Sequence, residues 1–147
     1  MTALISEKVQ LVGIIDPDAN AAGTLTTGWV SMAAFEQLLA IVMAGDLGAA
    51  ATIDAKLQQA QDSSGTGAKD ITGKAITQMT QAGTDKSNKQ AQINVRAEEL
   101  DRTGGFTHVR LSMTTAVATS DSGAVLLGMF SRYSPGAAAT SVIETIK

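Results

Sequence analysis

Apolar and polar side chains alternate every second residue between Thr52 and Gln61, and this alternation commits the chain to a sheet architecture. Ile53, Ala55 and Leu57 alternate with Thr52, Asp54, Lys56 and Gln58, the pattern of a strand with one buried and one wet face. The same period returns where Ile93, Val95 and Ala97 alternate with Gln92, Asn94, Arg96 and Glu98. It returns again where Val109, Leu111 and Met113 alternate with His108, Arg110, Ser112 and Thr114. A weaker strand is expected from Ile71 to Met79, and the polar segment 80–89 reads as a surface loop. The stretches 62–67, 101–105 and 120–123 are rich in Gly, Ser, Asp and Thr, residues that suit turns. The short connections after 92–98 and 108–114 predict an antiparallel meander ending in the apolar run Ala124 to Phe130. That run lacks alternation, so it is expected either to be buried on both faces or to be covered by a partner.

The first third of the chain is read less directly. Val9 to Ile15 is strand-like up to Asp16-Pro17-Asp18, and Thr24 to Val30 is strand-like through its β-branched residues and Trp29. Phe35 to Ala44 admits two readings. Its Ala, Leu, Met and Glu favour a helix, and Met32, Phe35, Leu38, Leu39 and Val42 have helical spacing. Its strand-like neighbours favour a strand, with Leu39 to Met43 read as doubly buried, and the strand reading is preferred. About eight strands then follow one another at spacings of roughly 8–12 residues, the signature of an all-β antiparallel sandwich or barrel.

Composition narrows the functional classes. The 147 residues fit one domain. Hydrophobic residues make up 44% of the chain but aromatics only 3%, which implies a thin core that gains from burial against a partner. The net charge of −3 and the scattered Lys and Arg residues argue against nucleic acid, whose phosphates require clustered cations. No apolar run approaches the roughly 18–20 residues that span a bilayer, and the first eight residues lack a signal-peptide profile. A soluble protein made in the cytoplasm is expected. With one histidine and no cysteine, neither a nucleophile–base pair nor a zinc site is expected. His108 reads as a surface or inter-subunit residue. Asp16 and Asp18 could offer oxygen ligands to calcium, but acidic turn residues are the preferred reading. The expectation is no enzyme, no cofactor and no metal. The five aromatics Trp29, Phe35, Phe106, Phe130 and Tyr133 are mostly required by the core, which weighs against a sugar platform.

The domain is expected over residues 9–133, between an N-terminal arm (1–8) and a C-terminal arm (134–147). The stretch 134–141 is linker-like and the short apolar segment beyond it must fray or dock. Candidate protein-interface residues are therefore Leu4 and Ile5 in the first arm, Val125, Leu127, Met129 and Phe130 in the unalternating strand, and Val142, Ile143 and Ile146 in the second arm. A dimer or trimer is expected.

One family resemblance covers about residues 9–133. The run Ile53 to Gly65, IDAKLQQAQDSSG, is similar to a "K-L-Q-(E/Q)-(S/A)-x-D-G/S-S-G" stretch in small proteins encoded among tailed-phage and prophage virion genes. Gly105 to Leu111 resembles their turn, aromatic and "xVR" strand, and Ala124 to Arg132 resembles their final apolar strand ending in a basic residue. Trp29 followed by the apolar segment 35–42 falls in the same order. The resemblance implies a virion structural protein of the capsid decoration (cement) type, on the capsid exterior. Its implied fold is a jelly-roll-like β-sandwich, and its implied partners are the major capsid protein and copies of itself. Neck, tail or head–tail connector components are the alternative it leaves, and a glycan-binding head fibre domain is a further one.

Overall fold

The computed structural model describes residues 3–132 and 137–146. Tyr133 and the expected boundary between domain and second arm lie outside the described residues. Residues Ile5–Lys8 wind into one helical turn (α1). Among the described residues ten strands follow in chain order: β1 (Val9–Asn20), β2 (Gly23–Thr26), β3 (Val30–Ser31), β4 (Phe35–Ala44), β5 (Thr52–Ala60), β6 (Lys69–Ala75), β7 (Met79–Thr80), β8 (Gln90–Arg96), β9 (His108–Ala116) and β10 (Ser120–Ser131). A 3-10 turn at Ala97–Glu99 follows β8.

The strands form two antiparallel sheets. One has the order β1-β10-β4-β8; the other has the order β2-β9-β5-β6, with β3 also on β9 and β7 also on β5. Taking β2 with β3 and β6 with β7, the chain forms eight ribbons in which first pairs with last, second with seventh, third with sixth and fourth with fifth. That is a long hairpin rolled up on itself, and the protein is an all-β antiparallel jelly-roll sandwich.

This topology corrects the expected meander. β8, β9 and β10 do not pair with one another: β8 lies on β4, β9 on β5 and β2, and β10 between β1 and β4. The loops between them cross from sheet to sheet instead of turning back within one. The expected turn at 120–123 is strand, because Ser120 and Ser122 are buried and Ser122, Asp121 and Ser120 pair with Asp18, Ala19 and Asn20. The reversal sits at 117–119, where Val117 takes a left-handed φ of 73°. β1 likewise continues past Pro17 to Asn20. It can do so because the register shifts between Ile15 and Asp18, and a bulge on an edge strand tolerates a residue with no N–H to donate.

The ambiguity at Phe35–Ala44 resolves as a strand. Leu38, Ala40, Val42 and Ala44 face inward and are buried, while Gln37, Leu39, Ile41 and Met43 face outward. Two flanking strands, β10 and β8, satisfy its backbone along almost its whole length, which outweighs the helix preference of Leu, Met and Glu. The core between the sheets is aliphatic: Leu38, Val42, Val95 and Leu126 from one sheet meet Ile53, Leu57, Leu111 and Met113 from the other. Small alanines contribute to this core, with Ala40 and Ala51 wholly buried in it. Of the aromatics, Phe35 and Phe106 are buried. Phe35 lies so close to the β10 backbone that a methyl group on Gly128 would fall 2.7–2.8 Å from its ring. Between β2 and β3 the ladder is bridged by buried Thr27. Its N–H donates to the Leu111 carbonyl at 3.0 Å and its Oγ1 accepts from the Leu111 N–H at 3.0 Å.

Candidate interaction surfaces

Residues directly opposite in a sheet share a face, so the register locates the outer surface of the first sheet. Leu127 stands opposite Leu11 on β1 and Leu39 on β4, and Val125 opposite Ile14 and Ile41. Met129 faces Val9 on one side and Gln37 on the other, and Met43 faces Gly123. Val9, Leu11, Ile14, Leu39, Ile41, Met43, Val125, Leu127 and Met129 thus form one continuous outward patch that contains no charged side chain. They are half-buried, except for the more exposed Met43. The Gln90, Gln92 and Asn94 side chains of β8 extend the face with neutral polar groups.

This arrangement explains why β10 showed no alternation. Its inward residues Ala124 and Leu126 are core, and its outward residues Val125, Leu127 and Met129 are the centre of the patch. The sequence-derived candidates Val125, Leu127 and Met129 are therefore brought together. Phe130 is not in their column: it takes a left-handed φ of 53° and its side chain is 61% exposed. Leu4 and Ile5 are exposed at α1. In the second arm, the Ala139 N–H donates to the Leu11 carbonyl at 2.6 Å and the Val142 N–H donates to the Ala139 carbonyl at 3.0 Å. Val142 is half-buried, while Ile143 and Ile146 are 98% and 81% exposed. The partners of β10 in the patch, on β1 and β4, escaped the sequence reading because only the pairing register reveals them.

A second surface lies at the end of the sandwich where β10 finishes. A cleft of about 300 Å³ is lined by Met32, Leu100 and Phe106 together with Arg102 and Arg132. Its wall, the 97–107 loop, is tied down at several points. Lys69 pairs with Asp101 at 2.6 Å and Lys74 with Glu99 at 2.9 Å. The Asp101 N–H donates to Gln59 Oε1 at 2.8 Å, and the Lys69 ammonium sits 4.2 Å from the Phe106 ring centre. Hydrogen bonds from Lys69 and from the Gly104 N–H hold the Asp101 carboxyl below the usual carboxylate range, and Lys74 with the Arg96 N–H does the same for Glu99. Arg102 and Arg132 make no ion pair among the described residues. An adjoining polar cleft adds Arg96, Glu98 and Glu36, with Arg96 and Glu98 3.5 Å apart. Sequence reasoning missed this site; its one signal was Leu100 and Phe106 standing apolar in a segment otherwise made of turn residues.

Elsewhere the chemistry-bearing side chains serve the scaffold. Trp29 is half-buried, with the Arg110 guanidinium 4.5 Å from its ring centre and Gly65 against its edge. His108 is half-buried, its Nδ1 2.8 Å from Thr107 Oγ1. Asp62 is held below the usual range by the Thr66 hydroxyl and by N–H groups of its own loop. Among the described residues no group of three or more His, Cys, Asp or Glu is placed to hold a metal ion. Among the described residues no helix is long and apolar enough to cross a membrane.

No known protein family matches the sequence, and no curated protein sequence matches it. Among solved structures, the fold is similar to a chain of broad bean stain virus, with a TM-score of 0.46 and 10% identity over 95% of this chain and 92% of that one. It is similar to a chain of the cowpea mosaic virus empty particle, with a TM-score of 0.43 and 12% identity over 94% and 87%. A tobacco necrosis virus chain is also similar, with a TM-score of 0.40 and 10% identity over 84% and 93%.

Proposed function

We propose that this protein is a non-enzymatic structural component of a virus particle, and specifically a capsid decoration (cement) protein. In this reading it lies on the capsid exterior and binds the major capsid protein through the outer face of its first sheet. The observation that carries the reading is the uncharged patch centred on Leu127. A sheet face that turns nine aliphatic and methionine side chains outward has the composition of a protein contact rather than of a solvated surface. The jelly-roll topology and the family resemblance of residues 9–133 support the virion setting, since this architecture is widely used in shells.

The size of the patch bears on how it would be used. Three strands about 4.8 Å apart and five residues at about 3.3 Å each give a footprint of roughly 14 by 17 Å, or ~240 Å². A stable pairwise interface buries about 800 Å² per partner. The patch is therefore the centre of a contact that the β8 amides and the arms would have to complete, and many copies on a lattice would add avidity. A neck, tail or connector component would use the same face at fewer sites.

Co-sedimentation with particles stripped of this protein tests the reading. Wild-type protein should rebind, and Leu127→Asp and Ile41→Asp variants that remain folded should not. Rebinding by both variants at wild-type affinity would contradict it.

A further inference from the structure

The cleft at the β10 end and the C-terminal arm have complementary chemistry that a single copy does not use. The cleft has an apolar floor of Met32, Leu100 and Phe106 beneath two arginines, Arg102 and Arg132, that form no ion pair among the described residues. Its wall is already fixed by the Lys69–Asp101 and Lys74–Glu99 pairs, so little ordering cost would oppose binding there. The arm carries Glu144 between two exposed isoleucines, Ile143 and Ile146. In an extended segment, residues two apart point to the same side about 6.6 Å from one another. An arm bound in extended form would therefore present Glu144 and Ile146, an acid and an aliphatic group, together, matching an arginine rim over an apolar floor. Within its own molecule the arm is held by the Ala139 N–H to Leu11 carbonyl bond and leaves Ile146 exposed.

We infer that the cleft is the acceptor for the C-terminal arm of a second copy, with Ile146 on the Met32–Leu100–Phe106 floor and Glu144 paired with Arg102 and Arg132. A carboxylate held by guanidinium groups against an apolar surface is the strong form of such a contact, because the donors are charged and the site is partly dry. Glu36 and Glu98 in the adjoining cleft leave the arginines in excess and bias the acceptor against a second acid placed further along the arm. The inference does not depend on the shell-binding reading, because it concerns the isolated protein.

The test is sedimentation velocity of the full chain over a concentration series in low salt. Wild-type protein should self-associate. Glu144→Arg alone, and Arg102→Glu with Arg132→Glu, should each weaken association at least tenfold. Mixing the Glu144→Arg protein with the double arginine variant should restore it, since each then supplies the other's complement. Ile146→Asp should weaken association as well and should not be rescued by the mixing. A chain that stays monomeric throughout, including one whose arm docks in its own cleft, would overturn the inference. So would association that persists unchanged in the charge-reversed variants.

Discussion

Replacing Thr27 by valine removes the hydroxyl that closes the second sheet. Valine reproduces the shape of threonine and keeps the methyl group that packs near Gly13, where an added Cβ would lie 3.1–3.2 Å from the Thr27 side chain. What it removes is Oγ1, which accepts from the Leu111 N–H at 3.0 Å and donates to the Gly28 carbonyl at 3.1 Å; the Leu111 N–H is the group left without a partner in the ladder. That N–H belongs to β9, whose Leu111 side chain is fully buried, and Thr27 itself is 4% exposed, so water does not readily substitute. A buried donor left without an acceptor costs about 1–3 kcal/mol. For a domain near this size each kcal/mol shifts Tm by about 2–4 °C, so the variant should melt roughly 4–8 °C lower for a mid-range loss of ~2 kcal/mol. Thr27→Ser keeps the oxygen and gives up one methyl group, about 0.8 kcal/mol of transfer energy before any cavity effect. Thermal and urea denaturation of the three proteins should therefore rank them wild type, serine, valine. A valine variant as stable as wild type, or more stable than the serine variant, would refute the reasoning.

Three further outcomes are expected. Gly128→Ala should destabilise by about 1–3 kcal/mol through overpacking on the Phe35 ring, and combining it with Phe35→Leu should cost less than the sum of the two changes, measured by urea unfolding. Leu127→Asp places a charge on the outer patch rather than in the core, so it should change the Tm of the isolated protein far less than Leu57→Ala, a core truncation expected to cost about 2–5 kcal/mol. The Asp101, Glu99 and Asp70 carboxyls are held below the usual range by lysine partners and other donors; a lowered folded-state pKa gives stability that is present above the ordinary carboxylate pKa of about 4 and is lost as pH falls through the lowered value. Acid titration of the melting temperature should show that loss, and Lys69→Met with Lys74→Met should flatten it.

The strands with one wet face were legible in the sequence because their alternation is local: β5, β8 and β9 follow the pattern of Ile53-Ala55-Leu57, Ile93-Val95 and Val109-Leu111-Met113. Strand order was not, since a loop that turns back and a loop that crosses to the other sheet use the same Gly- and Ser-rich residues. The Ser120–Gly123 turn was misread for that reason: small polar residues also fit a strand interior when their backbone is paired and, as at Ser120, the hydroxyl bonds to backbone groups. It accepts from the Gly48 N–H and donates to the Ala118 carbonyl. The candidate surfaces divide in the same way. The absent alternation in Ala124–Phe130 pointed to β10, and the structure adds Val9, Leu11 and Ile14 on one side and Leu39, Ile41 and Met43 on the other. The arginine-rimmed cleft joins residues 32, 100, 106 and 132 from three separate connections, and no spacing rule links them.

The central claim, that this chain covers a shell through its outer sheet face, is tested most directly by its copy number in purified particles, counted by quantitative mass spectrometry against the major capsid protein. A ratio of one-to-one or a simple fraction of it is the predicted result. A dozen copies or fewer per particle would move the protein to the neck or tail, and its absence from the particle would contradict the account.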